Sequence, residues 1–255
     1  MEARKTLILS ITSVKGGVGK TTNVLNLAGI FHRMRKKVLI IDLDLYSGDI
    51  AALLNLENEK DIYNLYEDIT NNNFRSLEDY IVSYNALIDV LCAPKDPRFA
   101  NKVNSQLIKL ILSKASSCYD VILIDTNHFL NSLNLMAFDC STEIIYVLNN
   151  DLMNLKSMKT MTSIFYNMGK NNYKILLYEA KDKKKKLFSD MDIKNVIKKE
   201  IDYNITNSFY IKNINDYIMK GKILTLTSLI SSHSKTLKVY EDMAISLLKQ
   251  VNNNE

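Results

Sequence analysis

The sequence predicts an α/β fold: a doubly wound, mainly parallel sheet with helices on both faces, forming a single domain over residues 1–255. Three observations carry this expectation. Short, nearly uninterrupted runs of Ile, Leu and Val recur along the chain, the composition of strands covered on both sides. Segments with apolar residues at helical spacing alternate with those runs, the order of a sheet built from strand–helix–strand units. No internal repeat or linker-like stretch interrupts the alternation.

The first run, Leu7 to Ile11, breaks at Ser13, and Val24, Leu25, Leu27, Ala28, Phe31 and Met34 then follow at helical spacing. Between them lies a glycine cluster. The chain has 7 glycines, and three of them, Gly16, Gly17 and Gly19, crowd into this one connection. The second run, Val38 to Ile41, ends on Asp42. Further strands are expected at Leu87 to Leu91, Val121 to Ile124, Ile144 to Leu148 and Lys174 to Leu177. Helices are expected at Ser105 to Ser117, Leu130 to Asp139, Asp151 to Asn167, Ile193 to Ile201, Asn213 to Lys220 and Lys235 to Val251. In the last of these Leu237, Tyr240, Ala244, Leu247 and Val251 form the core-facing stripe. Asn71-Asn72-Asn73 and the tail Asn252 to Glu255 are polar punctuation, a loop and a frayed end.

Apolar residues make up 47% of the chain and charged residues 24%, which supports a real core and excludes wholesale disorder. No stretch approaches the roughly 18 consecutive apolar residues of a membrane span. The N-terminal segment also lacks the apolar stretch and small-residue cleavage site of a signal peptide, so a cytoplasmic protein is expected. Cys92, Cys118 and Cys140 are far apart, without a C-x-x-C pair or a neighbouring histidine, which argues against zinc or iron–sulfur binding. Basic residues (33 Lys+Arg) outnumber acids (28 Asp+Glu), for a net charge of +5. Most of the excess lies between Lys181 and Glu200. The run Lys181-Asp182-Lys183-Lys184-Lys185-Lys186 reads as a solvated loop or, alternatively, as a contact for DNA or anionic lipid.

Ser13-Val14-Lys15-Gly16-Gly17-Val18-Gly19-Lys20-Thr21-Thr22 sits between the first strand and the first helix, where a phosphate loop has to be. Glycines let successive backbone N–H groups turn around an anion, the helix N-terminus adds its positive end, and Lys20 supplies a point charge for the outer phosphates. Thr21 offers a hydroxyl to Mg²⁺. Val14 stands where the general G-x-x-x-x-G-K-[ST] pattern has glycine. Further on, Asp42 and Asp44 follow the second apolar run, and Asp125 follows the run Val121 to Ile124. Carboxylates at the C-terminal ends of strands beside a phosphate loop can hold a metal through water or orient an attacking water.

The octet K-G-G-V-G-K-T-T resembles the deviant Walker A motif of the ParA/MinD ATPases, and Val121 to Asp125 resembles their Walker B strand. The resemblance spans essentially the whole chain. It implies that residues Lys15 to Thr22 bind ATP, that Thr21, Asp42 and Asp125 serve Mg²⁺, and that Asp44 positions the hydrolytic water. It also implies that Lys15 reaches the phosphates held by a second subunit, so that the homodimer depends on ATP. Departures are visible. Asn127 and His128 stand where the family has prolines after Walker B; His128 is expected to be a surface loop residue. Tyr178-Glu179 replaces an Asn-Arg pair that reads adenine in many relatives.

Within that family, Asp42-Leu43-Asp44-Leu45-Tyr46-Ser47-Gly48-Asp49 through Leu56 is similar to the CpaE/TadZ branch, in which an acidic, leucine-rich segment with Gly-Asp leads into a short helix. That likeness implies an ATPase organising assembly of a Tad or type IVb pilus or secretion apparatus, partnered by proteins of that machinery and recruited through them to a pole or the inner membrane. Two alternatives stand beside it: a ParA-like DNA-partition ATPase that binds nucleoid DNA, and a nonhydrolysing nucleotide-bound scaffold.

Overall fold

The computed structural model describes residues 5–179 and 187–252. Its centre is an eight-stranded sheet in the order β3-β4-β2-β5-β1-β6-β7-β8. The strands are β1 Leu7–Thr12, β2 Val38–Leu43, β3 Ile81–Asn85, β4 Ile88–Leu91, β5 Val121–Thr126, β6 Glu143–Leu148, β7 Tyr173–Tyr178 and β8 Tyr203–Ile205. All neighbours pair in parallel except β3, which runs antiparallel to β4 at one edge. The helices are α1 Lys20–Arg33, α2 Asp49–Leu53, α3 Ile62–Thr70, α4 Gln106–Ala115, α5 Ser132–Cys140, α6 Leu152–Asn167, α7 Asp190–Ile197, α8 Ile214–Ile218 and α9 Ser234–Asn252. The doubly wound, mainly parallel architecture expected from the apolar runs is the one observed.

Every residue of β2, β5 and β6 is buried. The alternation of side chains then divides the core in two. Leu7, Leu9, Ile11, Val38, Ile40, Val121 and Leu123 pack with α1 and α9, whereas Leu39, Ile41, Ile122 and Ile124 pack with α3 and α4. Beyond them Ile144, Tyr146 and Leu148 pack with α6 and α7. Helices therefore cover both faces of the inner strands.

Three elements, β3, β8 and α3, lie outside the sequence expectations. The edge strand β3 is only half-buried along its length, so it carries no continuous apolar run, and β8 is three residues long. Short α2 is preceded by Gly48, and α3 by Asp61, whose carboxylate accepts from the backbone N–H groups of Tyr63 and Asn64. The helix expected at Ile193 to Ile201 instead begins on the Ser189 cap and stops at Ile197, where Lys198 adopts a positive φ. The lysine run Lys181 to Lys186 lies outside the described residues.

A long-range brace steadies the first helix. Asn23, fully buried in α1, donates through Nδ2 to the Gly19 carbonyl (2.8 Å) and accepts through Oδ1 from the Tyr240 hydroxyl of α9 (2.7 Å). Thr225 donates to the Asn26 carbonyl one turn further along α1 (2.8 Å). The helix that opens at the glycine cluster is thereby tied to the C-terminal part of the chain.

Candidate functional site

Because β1, β2 and β5 are adjacent and parallel, their C-terminal ends arrive at one edge of the sheet, the crevice where open α/β sheets bind ligands. A cavity of about 510 Å³ opens there, lined by Gly16, Gly17, Gly19, Lys20, Thr21 and Thr22 of the first connection, by Asp44, Tyr46, Ser47 and Asp49 after β2, and by Asn127, His128 and Phe129 after β5. Gly19 precedes α1 at φ 102°, and a Cβ there would lie 2.8 Å from the Tyr178 ring, so both backbone and space require glycine. Asn149 donates to the carbonyls of Val18 (3.3 Å) and Tyr178 (2.7 Å), fixing the far side of the loop to β7.

Asp42 and Asp125 are register partners on β2 and β5, and both are buried. Asp42 accepts from the backbone N–H groups of Asp44 (3.1 Å) and Ile50 (3.3 Å), which aligns the turn into α2. Asp125 accepts a hydrogen bond from Thr21, yet its buried Oδ1 meets no donor. Two carboxylates side by side without water are costly to ionise. Burial, with the charge of Asp125 beside it, holds Asp42 well above the usual carboxylate range, and burial pushes Asp125 up to about 7 in spite of Thr21 and Lys20. Asp44 is raised as well, chiefly by burial, with Asp49 adding to the effect and Lys20 and His128 opposing it.

The donor set suits Mg²⁺. Magnesium is held by one or two carboxylates together with water and phosphate oxygens rather than by a cage of protein ligands. Among the described residues no group of three or more His, Cys, Asp and Glu side chains gathers around a metal position. A hydroxyl at Thr21, two buried carboxylates of raised affinity for positive charge and an oxygen without a donor meet the requirement.

The expected residues separate into three groups. Gly16, Gly17, Gly19, Lys20, Thr21, Thr22 and Asp44 line the cavity; Asp42 and Asp125 stand behind its floor. Val18 is buried beneath the loop, and half-buried Lys15 lies off the cavity of its own chain. Lys15 is close to Asp151, whose carboxyl is held low despite its burial by hydrogen bonds from Asn154 and Met153 and by the lysine charge. His128, expected on a surface loop, instead faces the cavity, and Tyr46 and Phe129 stand exposed at its mouth. The signal for His128 is positional: three residues beyond the β5 carboxylate, it cannot be far from the same sheet edge. The three cysteines are free thiols and none of them lines the cavity; Cys92 is buried and Cys118 exposed.

An AAA domain family model matches residues 6–167, more than half of the chain. An ATP-binding protein of Methanocaldococcus jannaschii, itself uncharacterized, is 30% identical over 125 residues, 49% of this chain and 46% of that protein. The septum site-determining protein MinD of Synechocystis is 29% identical over 119 residues, 46% of this chain and 44% of that one. The chain thus spans about half the length of these curated relatives. Among solved structures, a ParA family ATPase from Chlorobium tepidum superposes with a TM-score of 0.76 at 18% identity, covering 95% of this chain and 99% of that one. With the glycine-rich connection, the paired strand-end carboxylates and the matched family model taken together, the chain belongs to the ParA/MinD family of AAA domains.

Proposed function

We propose that this protein is a slow, switch-type ATPase that binds MgATP, pairs with a second copy of itself while ATP is bound, and organises assembly of a Tad or type IVb-like pilus or secretion apparatus. The observation that carries the nucleotide part is the convergence of Lys20, Thr21 and Asp44 on one cavity with the buried Asp42–Asp125 pair at its floor. Backbone N–H groups from Gly16 to Thr22 and the Lys20 ammonium bind the phosphates. Thr21, Asp42 and Asp125 would hold Mg²⁺, which neutralises charge on the outer phosphates when bound. Asp44, half-buried and facing the cavity, accepts a hydrogen bond from the attacking water and aligns it in line with the terminal phosphate. Lys15, off its own cavity, donates its charge to the phosphates of the partner copy.

The pilus part rests on the segment after β2. Gly48, at φ 41°, and Asp49 lead directly into the short helix α2, the arrangement that the likeness to the CpaE/TadZ branch implies. Cytoplasmic residence with recruitment through partners goes with this reading; no helix among the described residues is long and apolar enough to cross a membrane. Light scattering of the Asp44→Ala protein, first with ADP and then with ATP, tests the switch. A monomer that becomes a dimer only with ATP is expected, and a dimer formed without nucleotide, or none at all, would replace the switch with a static scaffold.

A further inference from the structure

His128 lines the nucleotide cavity without a task in binding or hydrolysis so far. Its ring stands against the outer part of the phosphate loop: Cε1 and Nδ1 both lie 3.8 Å from where a Cβ on Gly16 would be. The same ring is close enough to Asp44 to pull its carboxyl downward, against burial. A ring that stands beside Gly16 and lines the same cavity as Asp44 flanks the point where the last phosphate and its water would meet. The ring is not free to wander. It lies against the Phe129 ring at a tilt of 36°, centroids 4.1 Å apart, and hydrogen bonds hold the backbone on either side of it. Asn127 Oδ1 accepts from the Phe129 N–H (2.9 Å) and from Asn134 Nδ2 (2.8 Å), while Asn134 Nδ2 also donates to the Phe129 carbonyl (2.7 Å). Asn134 is fully buried in α5, so this clamp belongs to the core rather than to the loop.

We infer that His128 is a ligand of the terminal phosphate, donating a ring N–H to an oxygen that ATP has and ADP lacks, and that it thereby sets the preference of the site for the triphosphate. The inference rests on the proposed nucleotide binding and adds to it the residue that tells the two nucleotides apart. A neutral imidazole suffices, because one ring nitrogen always carries a proton. A hydrogen bond to a charged oxygen in a water-poor cleft has the strength needed to separate two ligands that share every other contact.

The test compares wild type, His128→Ala and His128→Gln by calorimetric titration with Mg²⁺ and either ADP or the nonhydrolysable analogue adenylyl imidodiphosphate, with thermal melts to verify folding. The alanine variant should lose on the order of tenfold in affinity for the triphosphate analogue and keep its affinity for ADP. Glutamine, which retains an N–H donor, should restore most of the loss. Equal weakening of both nucleotides would make His128 a support of the loop only, and unchanged affinity for both would remove it from the site; either result overturns the inference while leaving the nucleotide reading intact. Wild-type protein that binds neither nucleotide overturns the nucleotide reading itself, and the assignment of His128 with it.

Discussion

Asp89 and Asp202, toward the N-terminal ends of β4 and β7, and the Asp42–Asp125 pair, at the C-terminal ends of β2 and β5, are treated by the fold in opposite ways. Toward the N-terminal end of β4, Asp89 accepts from the hydroxyls of Ser83 (2.5 Å) and Tyr119 (3.0 Å) and has the Lys37 ammonium 3.9 Å away. Near the start of β7, Asp202 accepts from the Ile175 N–H (2.7 Å) and pairs with Lys174 (3.3 Å). These groups are supplied with donors by the fold itself. At the C-terminal ends of β2 and β5, Asp42 and Asp125 are set against each other, one oxygen has no donor, and both take up protons more readily than an exposed carboxylate. Asp89 is satisfied by groups that the fold itself supplies, whereas the β2–β5 pair keeps a buried carboxylate oxygen without a donor.

The largest effect separating the two ends should come from Lys20→Ala. Losing the charge at the mouth of the loop should weaken MgATP binding on the order of a hundredfold, measured by titration, while the melting temperature without nucleotide changes little. Asp89→Ala should do the reverse. It strands the buried Tyr119 hydroxyl without its acceptor and should cost about 1–3 kcal/mol in urea unfolding, with nucleotide affinity unchanged. A fall in affinity there would break the contrast between the ends.

Asp125→Asn sharpens it further. Replacing a buried carboxyl that resists ionisation by a neutral amide should raise the melting temperature at pH 8 by a few degrees, since about 1 kcal/mol corresponds to about 2–4 °C in a chain of this size. The same variant should lose Mg²⁺-dependent phosphate release. A further expectation concerns pH. Asp125 has its folded value at about 7 against an ordinary value of 3.8, so the folded state holds the proton more tightly than the unfolded one. Its contribution to stability is therefore greatest below about pH 4 and is lost as pH rises to about 7. Melting temperatures without nucleotide should decline across that window, the decline should shrink with Mg²⁺ and nucleotide present, and Asp125→Asn should flatten it. A wild-type protein whose melting temperature rises with pH there would show that other groups dominate.

How far the molecule is legible in its sequence depends on where the physics is local. β1, β2, β5, β6 and β7 are legible because burial on both faces forces an unbroken apolar run. β3 is not, because a half-exposed edge strand needs no such run. That the glycine-rich connection, Asp42, Asp44 and Asp125 gather at one sheet edge is legible because each sits at a fixed offset from a strand or helix end. His128, Tyr46 and Phe129 reach the cavity through loop paths that only the folded chain specifies, and the Asn127–Asn134 clamp joins residues whose amides carry no periodic signal. Helix α3 escapes sequence reasoning for a different reason. Its cap, Asp61, is one acid among several, and its short inward stripe of Ile62, Tyr63 and Leu65 is too brief to stand out.

The brace from Gly19 through Asn23 to Tyr240 gives the order of synthesis a meaning. The glycine-rich connection leaves the ribosome well before the hydroxyl that steadies its helix. A nascent chain halted short of Tyr240 carries that connection and lacks this support. The support of the first helix is thus non-local and forms only once α9 has been made and packed.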